Sequence, residues 1–273
     1  VAPRISKELG QNVVILNVPG GAGAIGIGQV AKAAPDGYTL GTATLSFVAN
    51  KYYLKTKLPF DPERDLEAVS MVSRIPEVLT VNKNVPARSA RDLVTLVKQK
   101  PGAINFYSAG VASDGELGAD LFGYATGTKV TVIPFNSAGG GQAMISGQSQ
   151  VEIAPIPSSL PFIASGDTIA LGVTGSRPDP SLPNVPVLAA TFPKMELYSF
   201  QGLVAPKGTP REIVDRIQAA VAKALADPQV KASLAHMGAE PVGNTPAQFD
   251  SYLKSQFALW SHLAAAYQSA GHE

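Results

Sequence analysis

The chain has 273 residues, 45% of them hydrophobic, which is enough for one large α/β domain or two smaller ones. Its 22 lysines and arginines nearly balance 21 aspartates and glutamates, so the net charge of +1 supplies no field that would steer it onto nucleic acid or an anionic membrane. The absence of cysteine excludes disulfides, thiolate nucleophiles and cysteine-ligated zinc, and no apolar run reaches the roughly 18 residues of a membrane-spanning helix.

At the start, Val1, Ile5 and Leu9 share one helical face and Gly10 is a stop signal. Residues 12–18 read as a buried strand, residues 25–33 as a short helix ended by Pro35-Asp36-Gly37, and residues 38–44 as the next strand. This strand-helix-strand rhythm predicts a parallel sheet. Further strands are expected at 77–81, 104–108, 129–135, 151–154, 169–173 and 203–205. Between them, Ser89 to Asp92 resembles a capping box ahead of a helix that stops at Pro101-Gly102, and helices are expected at 117–124 and 142–145. From Thr209 the composition is helical: Thr209 is expected to cap one helix, with Pro210 in its first turn and Glu212 at its third position, Asp227-Pro228 breaks it from a second, and Thr245 caps a third.

Gly21, Gly23 and Gly26 in NVPGGAGAIGIGQ fit the spacing of a dinucleotide fingerprint. Two residues, Pro19 and Gly20, separate them from the preceding apolar run, and no acidic residue ends the next strand, Gly41 to Thr44. The glycines are therefore expected to serve a tight turn and close helix packing rather than a nucleotide.

Signals for catalysis are equally thin. The three histidines, His236, His262 and His272, all fall in the C-terminal helical region, without metal-ligand spacing. Gly147-Gln148-Ser149-Gln150 lacks the last glycine of a nucleophile elbow, and no Walker lysine follows a glycine run. Asp61, Glu63, Asp65 and Glu67 read as a solvated loop, not a metal site. What stands out is a pair of small-residue loops, Ser108-Ala109-Gly110-Val111-Ala112-Ser113 and Asn136 to Gly141, each leading into a helix whose N-terminal donors would suit an anion such as a small carboxylate.

An ordered set of motifs along nearly the whole chain resembles the Bug, or TctC-like, periplasmic solute-binding receptors of tripartite tricarboxylate transporters. It comprises Asn17-x-Pro19-Gly20-x-x-Gly23-x-Ile25-Gly26, Ala34-Pro35-Asp36-Gly37-Tyr38-Thr39-Leu40, Leu58-Pro59-Phe60-Asp61-Pro62, Lys100-Pro101-Gly102, Ile133-Pro134-Phe135, Ala205-Pro206-x-Gly208-Thr209-Pro210 and Gly238-Ala239-Glu240-Pro241. The resemblance implies an α/β, type II periplasmic binding fold: two α/β domains joined by two crossover strands, with the ligand cleft between them. Domain I would be 1–82 plus 203–273, and domain II 83–202. It also implies a non-enzymatic receptor, a monomer without cofactor or metal, that delivers a small carboxylate to the membrane subunits of a transporter and binds no nucleic acid. A sensory receptor for the same ligand, or an α/β enzyme drawing on Asp114 or Glu116, are the alternatives.

On this pattern the ligand is expected at Thr44, Ser46, Phe47, Ser108, Gly110, Ala112, Ser113, Asp114, Asn136, Gly139, Gly140 and Ala154, with Leu45 and Phe47 packing on its middle. The family often has a histidine where this chain has Glu116 and an aspartate where it has Ala154; the latter change points to an uncharged-bodied mono- or dicarboxylate. The family pattern also has a strand and glycine-rich loop, on the order of 25 residues, ahead of the first helix. Losing a central strand would orphan buried backbone groups, so the natural protein is expected to extend beyond Val1, with any export signal already removed.

Overall fold

The computed structural model describes residues 1–135 and 140–269. In chain order the elements are α1 (Ala2–Leu9), α2 (Ala24–Ala31), β1 (Gly41–Thr44), α3 (Leu45–Tyr53), β2 (Leu66–Asn82), α4 (Ala90–Gln99), β3 (Asn105–Ser108), α5 (Asp114–Thr126), β4 (Thr131–Pro134) and α6 (Gly140–Ser146). There follow β5 (Val151–Pro155), α7 (Ile156–Ala164), β6 (Thr168–Val173), β7 (Tyr198–Pro206), α8 (Arg211–Ala226), α9 (Pro228–His236), β8 (Glu240–Pro241) and α10 (Pro246–Ser269). They form two compact units: unit 1 is Val1–Arg74 with Phe200–Glu273, and unit 2 is Ile75–Ser199. Only β2 and β7 contribute residues to both.

Unit 1 has the strand order β1, β7, β2, β8, with β1 antiparallel to β7 and β8 antiparallel to β2. Val69, Ala205, Val214 and Ile217 form a core cluster that joins this sheet to α8. Gly202 of β7 lets α10 approach the sheet, because the Phe249 ring fills the space a Cβ would need. On the same helix Phe257 meets Phe47 edge-on at 6.0 Å and Trp260 meets Tyr53 at 6.2 Å, so the aromatic stripe of α10 anchors α3.

Unit 2 has the order β4, β3, β5, β2, β6. β3 is parallel to β4 and β5, while β5 and β6 are both antiparallel to β2, so β3, β4, β5 and β6 share one direction. One face carries α5, whose Gly118 lies directly on Ile153 and whose Phe122 packs on Phe106 with centroids 5.4 Å apart. The other face buries Val78, Val173 and Ile156 in a cluster completed by Leu160 and Ile163 of α7.

Three expectations are corrected. Residues 12–18 are not a buried strand: they carry no strand hydrogen bonding, and Val14, Ile15 and Leu16 are 74%, 66% and 80% exposed. A run of Val, Ile and Leu suits a pleated surface, but a strand exists only with a ladder partner, and among the described residues none pairs with it. Thr209 does not cap α8; its hydroxyl donates to the Pro206 carbonyl at 2.8 Å, and Pro210 holds the cap position. Third, the strand read as 77–81 is the end of a 17-residue strand, and α3 and α7 are helices in stretches whose β-branched, aromatic or proline content hides them.

The glycine-rich stretch does what its failed fingerprint implies. Gly21–Gly23 is a single 3-10 turn and α2 starts directly after it, with Ala22 at φ 50°. A Cβ at Gly26 would touch Val18, and one at Gly28 would touch Phe60, both at 3.4 Å, so these glycines permit close packing.

Candidate functional site

In an open α/β sheet, ligands gather beyond the carboxyl ends of the parallel strands, where loops lead into helix N-termini. In unit 2 that edge is defined by Ser108, Pro134, Pro155 and Val173, the last residues of the four co-directional strands. Ser108, Gly110, Ala112, Ser113, Asp114 and Ala154 are therefore at one edge of one sheet, as the sequence pattern requires. Gly140 opens α6, which also starts from this edge, whereas Asn136 and Gly139 lie outside the described residues.

The loop from β3 into α5 is tightly self-bonded. Ser108 is fully buried; its Oγ accepts from the Gly110 amide at 3.0 Å and lies 3.2 Å from Ser113 Oγ. Ser113 is the N-cap of α5 and accepts from the Glu116 amide at 3.4 Å. Glu116 reaches back, its Oε2 accepting from the Ala112 amide at 2.6 Å. Ala112 is turned to φ 56°, a conformation costing an alanine about 1 kcal/mol. Ser199 hydrogen-bonds Asp114, the first residue of the helix.

Carboxyl groups dominate this edge. Burial is the main cause that raises the pKa of Asp114, of Glu116 and, up to about 7, of Glu152 on β5. Glu77, on β2 opposite Pro155, is wholly buried with no hydrogen bond to either carboxylate oxygen. Desolvation, followed by the fields of Asp114 and Glu152, holds its carboxyl well above the usual carboxylate range. Sequence reading missed Glu77 and Glu152. The available signal was a single acid inside each of two apolar strands, IPEVLTV and VEIA.

In unit 1, Thr44, Ser46 and Phe47 lie together where β1 turns into α3. Thr44 caps the helix by accepting from the Phe47 amide at 3.2 Å. Leu45 and Phe47 are 1% and 5% exposed, and the Phe47 ring is engaged by Phe257, so both are core residues of this unit. One turn on, the Asn50 side chain donates to the Ala22 carbonyl at 2.9 Å and ties the glycine-rich turn to α3.

The acids at 61–67 are accounted for by their own contacts. Lys51 Nζ reaches Asp61 at 3.1 Å and Glu63 at 2.5 Å, Asp61 accepts from the Glu63 amide, and Asp65 accepts from the Asp61 amide. His236 closes α9, where an imidazole complements the helix terminus. No histidine falls in unit 2.

Two α/β units joined by β2 and β7, one with a parallel-strand edge carrying loops and helix starts, define a type II-like periplasmic binding protein. Solved structures share this fold. Rhodopseudomonas palustris MatC (Rpa3494) with bound malate superimposes with a TM-score of 0.79 at 28% identity, covering 96% of this chain and 91% of that one. R. palustris Rpa4515 with adipate gives 0.81 at 32% identity, with coverages of 97% and 89%. Protein BugT of Bordetella pertussis is 31% identical over 264 residues, which span 96% of this chain and 81% of BugT. The family model described as the tripartite tricarboxylate transporter family receptor, TctC, matches residues 1–268, and the chain belongs to that family.

Proposed function

We propose that this protein is an extracytoplasmic receptor that captures a small organic carboxylate, an aliphatic or aromatic mono- or dicarboxylate, and delivers it to the membrane subunits of a tripartite tricarboxylate transporter. The observation that carries the reading is family membership over residues 1–268, joined to the malate and adipate in two relatives that match nearly the full chain. On this reading it acts in the periplasm, as a monomer, and turns over no substrate. The absence of any described helix long and apolar enough to cross a membrane is compatible with that location.

The residues proposed to meet the ligand are Thr44 and Ser46 at the start of α3, the 108–114 loop, Asn136, Gly139 and Gly140, and Ala154; Phe47, buried against Phe257, is left out. The start of α3, capped by a threonine and not by an acid, supports a carboxylate at that point. Thermal unfolding of the protein with a panel of carboxylates tests the proposal. Ligand at a hundredfold over Kd adds about 2.7 kcal/mol, a rise of a few degrees in Tm. No shift with any carboxylate, together with turnover of one of them, would overturn it.

A further inference from the structure

Both strands that run from one unit into the other are anchored by side chains on either side of the passage. On the unit 1 side, Arg74 of β2 donates from Nε to Glu240 at 3.0 Å, and the Phe200 ring of β7 meets Tyr252 at 5.2 Å and Phe249 at 6.3 Å. On the unit 2 side, the stretch that follows β6 holds both strands. The buried Thr174 hydroxyl accepts from the Glu77 amide at 2.8 Å and donates to the Leu197 carbonyl at 2.6 Å. Two residues on, the Ser176 amide donates to the Tyr198 hydroxyl at 2.8 Å. Between these anchors lie Ile75 and Pro76 of β2 and Ser199 of β7. Pro76 has no N–H to give to a ladder, so β2 is weakened at this point.

Of these three residues, Ser199 carries a hydroxyl, and it hydrogen-bonds Asp114, the first residue of α5, next to the N-cap Ser113. Burial raises the Asp114 pKa, and this bond opposes the rise by favouring the carboxylate. A charged acceptor makes the bond a strong one. A shift of either the first turn of α5 or the β7 passage strains it, so a ligand that reorders one biases the other, and the bias is reciprocal.

We infer that Ser199 is a positioning residue for the carboxylate site: it ties the 108–114 loop to the passage of β7, so that an occupied loop orders the residues between the anchors. This rests on the receptor reading above and deepens it. The Thr174 and Ser176 contacts fix the unit 2 side of both strands, which concentrates the effect of a change at Asp114 on Ile75, Pro76, Ser199 and Phe200.

Residue-resolved amide hydrogen exchange of the full chain tests this, with and without saturating malate, adipate or whichever carboxylate of the thermal panel binds most tightly. Ligand is expected to slow exchange at 112–116 and also, by about tenfold, at Ile75, Ser199 and Phe200. In Ser199→Ala the protection at 112–116 should persist, that at Ile75, residue 199 and Phe200 should vanish, and affinity by isothermal titration should fall about tenfold. Ser199→Thr keeps the hydroxyl and should behave as the unsubstituted protein does. A merely structural Ser199 would alter exchange in the ligand-free chain and leave the ligand-induced difference in place. A carboxylate that binds the unsubstituted protein without slowing exchange at Ile75, Ser199 and Phe200, or Ser199→Ala that retains that slowing, overturns the inference and leaves the receptor reading standing. Failure to bind any carboxylate overturns both.

Discussion

Ser108 Oγ and Ser113 Oγ face each other at 3.2 Å across the turn that carries β3 into α5. One is buried and secures the Gly110 amide; the other caps the helix. Ser108→Ala leaves the half-buried Gly110 amide without its acceptor and is expected to cost about 1 kcal/mol in urea unfolding. Ser113→Ala should cost about 1 kcal/mol. Because the two hydroxyls share one contact, the double variant should lose less than the two costs added together; strict additivity would show that the hydroxyls act independently.

Gly118 tests how closely α5 sits on the sheet. Alanine in place of a helical glycine normally gains up to about 1 kcal/mol. Here the new Cβ would lie 2.6 Å from Ile153 Cγ2 and 2.8 Å from its Cβ. Overpacking of about 1–3 kcal/mol outweighs the gain, so Gly118→Ala should lower Tm. Ile153→Ala in the same chain should cost less than it does alone. A higher Tm for Gly118→Ala would mean that α5 stands off the sheet.

Glu152 sets a pH dependence. Burial lifts its folded-state pKa to about 7, from an ordinary glutamate value of 4.5. Between those values the folded state holds a proton that the unfolded state has released, so this residue's contribution falls as pH rises through the window and is level above it. Glu152→Gln should match the parent near pH 4.5 and exceed it at pH 8, by up to about 3 kcal/mol at roughly 1.4 kcal/mol per unit. Equal stability at both pH values would show that Glu152 ionises normally.

Gly202 and Phe249 make the corresponding test in unit 1. The ring occupies the Cβ position of the glycine, so Gly202→Ala is expected to destabilise by about 2 kcal/mol or more. Adding Phe249→Leu should recover part of that loss. Calorimetry of the four chains decides it.

Much of this was readable in the sequence where signals are local. Ser89 accepts from the Asp92 amide, and Thr245 and Gln248 bond reciprocally, as their spacing predicts. The parallel strands of unit 2 and the loops at their ends also follow from apolar runs punctuated by small residues. Signals that depend on distant partners were not readable. The start of α3, TATLSFV, reads as a continuing strand, and only Thr44 turning its hydroxyl to the Phe47 amide ends β1 there. Likewise, IPEVLTV shows that Glu77 is an acid in a strand, but its lack of a partner depends on what α5 and β5 bring to it. The loop at 108–114 was recognised as small and donor-rich; that Glu116 folds back onto Ala112 is a tertiary fact, and it reverses the charge the loop presents.

The pairing of β1 with β7 has a consequence for biosynthesis. Gly41 is opposite Val204, so a strand made early waits for about 160 further residues before its ladder partner exists. At about 5–20 residues per second, that is a delay of some seconds to half a minute. Unit 2 is one uninterrupted stretch and has no such wait. Synthesis order therefore lets the inserted unit finish first and leaves its host open until its last strand has been made.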